Sequence, residues 1–251
     1  MNREITLHYG KVVFGTIGKE DGINRFFGDN PELKKTDNDL KSPEDWFRYT
    51  TETFYLKYPE VDGTIHCLHQ VHGDTIHPIE SDTLSQGKEE QKEGDGLYTF
   101  QKKQILVVRT ADCVPVFIYS VKRPFVAVIH SGWKGTKLGI AEKMIELILK
   151  EGFQLDELQI ELGPYIQKDH YEVGEDVAQF FVGLGEDVCE PKGKGKYHLD
   201  VGQAIENRIK RRFGEMMLVK NSKIEVFQSP QFFSHRAKEE GRNLNFILWE
   251  S

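Results

Sequence analysis

The stretch from Ile105 to Thr136, ILVVRTADCVPVFIYSVKRPFVAVIHSGWKGT, constrains this chain more than any other. It reads as three buried apolar strands in quick succession, followed by a glycine-rich turn and the start of a helix. Cys113 sits at the break between the first two strands. His130 sits at the end of the third, just before the turn. Reactive polar side chains placed where buried strands stop are where α/β-type proteins build their sites.

Composition narrows the setting. The 251 residues suffice for one substantial core, so a single domain over 1–251 is expected. Acidic residues outnumber lysine plus arginine by 40 to 33, a net charge of −7, which argues against nucleic acid as a partner. The opening MNREITLHYGKVVFG lacks the charged flank and apolar region of a signal peptide, and no apolar run reaches membrane-spanning length. The three cysteines, Cys67, Cys113 and Cys189, are odd in number and scattered, which fits a reducing cytoplasm.

Around the central stretch, residues 4–17 read as a strand or hairpin, and residues 18–43 as irregular surface, a flap. Ser-Pro-Glu-Asp at 42–45 predicts a helix start, with the helix running to Lys57. Residues 64–72 alternate as a strand that places His66 and His72 on one side and Cys67, His69 and Val71 on the other. A turn at Gly73-Asp74 then leads to a return strand over 75–79, and the polar run 81–95 reads as an exposed loop. Downstream, helices are expected over 136–151, 174–184 and 202–213, and strands over 158–162, 197–201, 224–228 and 244–248. Clustered strands among helices favour an α+β fold, a layered sandwich of mixed β-sheets with flanking helices.

His72, Cys113 and His130 each lie at a predicted strand end, where distant positions converge. Two imidazoles and a thiolate suit Zn2+, with copper as the alternative, and three protein ligands leave a coordination position open. The separations match no local zinc motif, and a lone cysteine in an apolar strand pair reads equally well as core. His66 and His69 are mid-strand, Cys67 points away from His72, and Cys189 lies in a polar loop. The turn Ser131–Thr136 offers backbone N–H groups to an anion, and Phe233-Ser234-His235-Arg236 with Arg242 add donors near the C-terminus.

Taken together, five collinear blocks resemble the multicopper polyphenol oxidoreductase (laccase-like) family, understood as zinc-dependent purine nucleoside phosphorylases. They are Gln70-Val71-His72-Gly73, Gly94-Asp95-Gly96-Leu97, Thr110-Ala111-Asp112-Cys113-Val114-Pro115-Val116, His130-Ser131-Gly132-Trp133-Lys134-Gly135, and Gly163-Pro164-Tyr165-Ile166 with Tyr171-Glu172-Val173-Gly174. Phe232-Phe233-Ser234 with Gly241-Arg242 makes a weaker sixth. The resemblance implies that His72, Cys113 and His130 are metal ligands, and it implies the family's compact laccase-like sandwich. It further implies phosphorolysis of adenosine, inosine, guanosine and methylthioadenosine, plus adenosine deamination. The expected partners are purine nucleosides and phosphate, and the expected state a monomer or small homo-oligomer. Departures fall at Gly18–Phe27, Lys134, His170 and His235, away from the ligands, and bear on substrate preference.

Within that reading, Gln70, Asp112, Arg236 and Arg242 are the expected substrate contacts, and Asp112 or Glu172 the carboxylate that shuttles protons in deamination. The rivals are a copper polyphenol oxidase, a metal-free thiol hydrolase with His130 activating Cys113, and a zinc-stabilised binding protein without turnover.

Overall fold

A computed structural model describes residues 2–7, 10–19, 42–80, 92–215 and 217–250. Two mixed sheets stack face to face. The first is five-stranded, built from β1 (Asn2–Leu7), β2 (Gly10–Ile17), β14 (Asn243–Glu250), β6 (Gln104–Thr110) and β3 (Thr64–His66), in that order. The second is six-stranded: β13 (Val219–Asn221), β9 (Leu158–Leu162), β7 (Val114–Ser120), β8 (Val126–Ser131), β5 (Gly96–Thr99) and β4 (Ile76–Ile79). A small third sheet joins β10 (Glu172–Gly174), β12 (Lys196–Leu199) and β11 (Cys189–Gly193).

The central strands show no polar alternation because both their faces are covered. In β6, Leu106 and Val108 point between the sheets, where they meet Phe14, Phe117 and Val128. Ile105 and Val107 point outward, beneath helix α1 (Pro43–Lys57). In β7 and β8, Val116, Ile118, Ala127 and Ile129 face the opposite outer layer. That layer comprises α2 (Trp133–Leu138), α3 (Ile140–Lys150) and α5 (Val201–Phe213), while α4 (Glu175–Ala178) is a single turn. Strands buried on both faces need unbroken apolar runs. This architecture is the α+β layered sandwich expected.

Helix α1 starts where the sequence placed it. The Ser42 hydroxyl accepts from the Asp45 N–H at 3.1 Å, the Asp45 carboxylate accepts from the Ser42 N–H at 3.3 Å, and Pro43 opens the helix. Its buried residues, Tyr49, Thr50, Thr53 and Phe54, clamp it to the five-stranded sheet.

Several expectations are corrected. The strand from Thr64 stops at His66, so no strand parity relates His66 to His72. The segment 75–79 does not return beside it; β4 pairs parallel with β5 in the other sheet. The helix expected over 136–151 begins at Trp133 and breaks at Gly139, whose φ of 80° ends α2 in a left-handed cap. The helix expected over 174–184 is only α4 and a 3-10 turn at Val182–Leu184. No strand covers 224–228; Glu225 makes a lone bridge to Tyr165, and the strand nearby is β13. Cys189 is buried on β11 rather than held in a polar loop. The flap expected over 18–43 falls largely outside the described residues, as do positions 81–91 of the exposed loop. The end of that loop is not exposed, because Gly94 and Asp95 are buried.

The chain passes between the two large sheets at 67–75, between β3 and β4, and at 111–113, between β6 and β7. It passes again at 222–242, between β13 and β14. These three crossings lie at one end of the sandwich, since β3 runs parallel to β6 and β14 starts opposite Thr110, and a fourth, at 100–103 between β5 and β6, lies at the other.

Helix α1 also brings Trp46 to that end. Phe54, fully buried, meets Phe246 edge-on at 5.1 Å and Tyr58 at 5.2 Å. Phe54→Ala is expected to cost about 3–5 kcal/mol, lowering the melting temperature by roughly 10 °C. Thermal unfolding followed by circular dichroism checks this.

Candidate metal centre and cleft

Two of these crossings and the end of β8 meet in one cluster. His72 lies on the first, with its backbone in the left-handed region at φ 60°. Cys113 ends the second, and His130 stands on the last turn of β8 beside it. One ligand atom from each lies within 4.8 Å of the others, with His72 exposed, Cys113 half-buried and His130 buried. The His72 and His130 rings meet edge to face, 4.7 Å between centroids.

Asp95, fully buried, assembles this cluster. Its Oδ1 accepts from the His130 Nδ1 at 2.7 Å and from the His72 N–H at 3.0 Å. Its Oδ2 accepts from the Gly73 N–H at 2.6 Å and, more weakly, from the Val71 N–H at 3.4 Å. Burial by itself would push the Asp95 carboxyl up. The His130 ring and the Gly73 and His72 N–H groups outweigh it and hold the group below the usual carboxylate range. The carboxylate fixes Nδ1–H on His130 and leaves Nε2 facing Cys113.

The surroundings of Cys113 favour its thiolate. Burial opposes ionisation, but the His130 charge and hydrogen bonds from His130 and His72 bring the thiol down to about 6. His130 moves the other way: burial disfavours its charge, and Cys113 and Asp95 override that.

The donors fit a single zinc ion. Two imidazoles and a thiolate are a borderline-soft set, one imidazole is oriented from behind by a carboxylate, and the exposed side leaves a position open. The space for an ion is kept by Gly132. A Cβ there would stand 2.8 Å from the Cys113 sulfur and 3.4 Å from the His72 ring. This gives the glycine of the turn a role other than anion binding.

The cluster lies in a cleft of about 500 Å3. Gln70, Asp112, Arg236 and Arg242 all line it, together with Trp46, His69, Arg109, Trp133, Tyr171 and His235. Their side chains differ in availability. Gln70 is committed to the backbone of Arg109, donating to its carbonyl and accepting from its N–H, both at 2.8 Å. Asp112 has both oxygens occupied, by Ser234 and by the Arg236 N–H. Glu172 is not in the cleft; its carboxylate is exposed and paired with Lys196. Among the described residues, Asp112 is thus the only carboxylate lining the cleft, in a chain whose net charge is −7.

Arginine dominates the walls. The Arg109 and Arg242 guanidinium groups lie 5.2 and 5.8 Å from the Trp46 ring, and that of Arg236 lies 5.1 Å from Tyr171. Burial, assisted by the Cys113 thiolate, pushes the Tyr171 phenol up, so it stays a neutral donor. His235 lines the cleft, whereas His170 pairs with Glu225 outside it.

Sequence reasoning gave no site role to Trp46 or Arg109, nor to Asp95 and Tyr171, although both of these stand in the motif blocks. For Asp95 the signal was present: an acid immediately before the fully buried strand Gly96–Thr99 has to be paired.

A family model described as multi-copper polyphenol oxidoreductase laccase matches residues 52–250. The chain belongs to that family. A Clostridium acetobutylicum relative named purine nucleoside phosphorylase is 31% identical over 234 residues, 91% of this chain and 88% of its own length. A Deinococcus radiodurans purine nucleoside phosphorylase is 38% identical over 114 residues, 45% of this chain and 44% of its own. Adenosine deaminase RL5, from an unknown prokaryotic organism, is 35% identical over 114 residues, 44% of each chain. The last two alignments therefore span less than half of those relatives. Among solved structures, a Neisseria meningitidis protein superposes with a TM-score of 0.73 at 22% identity, covering 100% of this chain and 99% of that one. YlmD from Geobacillus stearothermophilus gives 0.71 at 23%, covering 84% and 82%. The laccase-family fold is therefore the one seen here. No helix among the described residues is long and apolar enough to cross a membrane.

Two substitutions test the centre. Asp95→Asn places an amide N–H among N–H donors and should weaken zinc binding about 10–100-fold. Gly132→Ala should do at least as much by crowding Cys113. Zinc competition against a calibrated chelator measures both, and parent-like affinity in either would contradict this assembly.

Proposed function

We propose that this laccase-family member is a zinc-dependent purine nucleoside phosphorylase acting in the cytoplasm. Its substrates would be adenosine, inosine, guanosine and methylthioadenosine with inorganic phosphate, and adenosine deamination would be a secondary activity. One observation carries the reading: a metal-suited cluster, open on one side, at the base of a cleft walled by arginines and aromatic rings. The Clostridium acetobutylicum relative, aligned over most of both chains, supports it by name.

Phosphorolysis joins a phosphate oxygen to ribose C1′ and breaks the C1′–N9 bond, whose electron pair leaves with the purine. The base takes up the proton that phosphate gives up. Zinc, when bound, would supply Lewis acidity to a phosphate oxygen or to the purine as it takes the C1′–N9 electron pair. His72, Cys113 and His130 would hold it, with Asp95 keeping His130 in the right tautomer. Arg236 and Arg242 would orient the phosphate dianion through charge-assisted bonds. Trp46 and Trp133 give the cleft flat apolar surface for a purine. The Tyr171 hydroxyl would donate to the substrate without ionising.

Phosphorolysis takes precedence over deamination on one ground. Zinc deaminases use a carboxylate to move protons, and the one carboxylate that the described residues bring to the cleft has both oxygens engaged. The relative named adenosine deaminase RL5 keeps deamination as the secondary activity.

A metal-free reading draws on one observation, the alignment Asp95–His130–Cys113, which has the order of an orienting acid, base and thiol nucleophile. It leaves His72 without a task. Copper oxidase chemistry needs several metal positions, and the described residues group donors at one.

Purified protein should bind about one zinc per chain and release adenine from adenosine only when phosphate is added. His72→Ala should lose both properties. Zinc should protect Cys113 from iodoacetamide; alkylation at the same rate with and without zinc, abolishing turnover, would favour the thiol mechanism. Bound zinc with no product from any purine nucleoside would sink the assignment.

A further inference from the structure

Asp112 fills the break between β6 and β7, directly before Cys113, and its backbone stands at φ 91°. Residues with a Cβ rarely adopt that region and keep it only where the surroundings over-determine it. Here they do. Oδ1 accepts from the Ser234 hydroxyl at 2.6 Å, and Oδ2 accepts from the Arg236 N–H at 2.7 Å. The Asp112 carbonyl accepts from the Ile166 N–H at 3.1 Å.

The partner loop is just as constrained. Ser234 is fully buried; its hydroxyl also accepts from the Ala237 N–H at 3.2 Å, and its N–H donates to Glu239 at 2.8 Å. From this anchor the Arg236 side chain lies over Tyr171 and donates to the Glu172 carbonyl at 3.0 Å. An acid next to a metal-suited cysteine thereby fixes an arginine 124 positions away in sequence.

We propose that Asp112 is a positioning residue: it fastens the loop that carries Arg236, so that this guanidinium meets an oxyanion at a fixed place beside the Cys113 cluster, and it does not carry protons. The inference rests on reading the cleft as a phosphate and nucleoside site.

The two roles predict opposite results for a conservative change. In Asp112→Asn the amide oxygen accepts from the Arg236 N–H, and the amide N–H2 donates to Ser234, whose hydroxyl can reverse its direction. The fastening survives while the charge and any proton-carrying capacity are lost. Asp112→Ala removes the fastening, and Ser234→Ala removes half of it while leaving the strained residue in place.

The experiment uses the full-length zinc-loaded protein and three measurements: bound zinc, titration with inorganic phosphate by calorimetry, and kcat and KM for adenosine phosphorolysis. Asp112→Asn should stay within about 3-fold of the parent in phosphate affinity and kcat. Asp112→Ala should weaken phosphate binding about 10-fold or more, raise KM for phosphate in parallel, and keep zinc and kcat. Ser234→Ala should fall between them, and it decides the matter if Asp112→Ala does not fold. A loss of about 100-fold in kcat for Asp112→Asn, with zinc and phosphate binding intact, would instead make the carboxylate a proton carrier and overturn the proposal. So would parent-like phosphate affinity in Ser234→Ala and Asp112→Ala, or no phosphate binding by the parent. A parent that binds phosphate but cleaves no nucleoside would remove the proposed function, and the phosphate titrations would still decide the role of Asp112.

Discussion

A carboxylate with no access to water has to be surrounded by donors, and in this protein that requirement organises one end of the molecule. Asp95 meets it with the His130 ring and the N–H groups of Gly73, His72 and, at longer range, Val71. Breaking a buried charge away from its partners costs several kcal/mol. The loop bearing His72 is therefore drawn onto the strand bearing His130 with more force than packing alone would give. The same bonds set which nitrogen of His130 faces Cys113, so folding and ligand chemistry depend on one side chain.

The sandwich explains why the site forms at this end. Residues 67–75 and 111–113 each carry the chain from one sheet to the other, and a backbone that leaves a ladder has free conformations to use. His72 and Asp112 use them at positive φ. Both strained residues belong to these crossings, and Asp95 and Ser234 are the groups that hold them there. The rigid strands beneath keep the strain from relaxing. Helix α1 and the loop before β14 then close the cleft with Trp46, Arg236 and Arg242.

The elements legible in the sequence were those whose cause is local or compositional. Ile105–Thr136 shows its strands because strands covered on both faces allow no polar gaps, and α1 shows its start because Ser42, Pro43 and Asp45 form a local cap. His72, Cys113 and His130 stood out as polar groups at strand ends, and the motif blocks gave them a common purpose. Pairing between distant segments was not legible. Gly73-Asp74 looks like a hairpin turn, yet β4 belongs to the other sheet, a choice made by tertiary packing. Asp95 was hidden by its neighbours, since it closes an acidic run whose average character is exposed surface. Gln70 and Asp112 were legible as cleft residues, but the partners that occupy their side chains come from residues 109, 234 and 236.

Three segments from different parts of the sandwich would supply one sulfur and two imidazole nitrogens to a single ion. X-ray absorption at the zinc edge of the zinc-loaded protein tests it directly. The expected shell is one sulfur at about 2.3 Å, two imidazole nitrogens at about 2.0–2.1 Å, and one further light atom. A shell without sulfur, or with more than one, would contradict it.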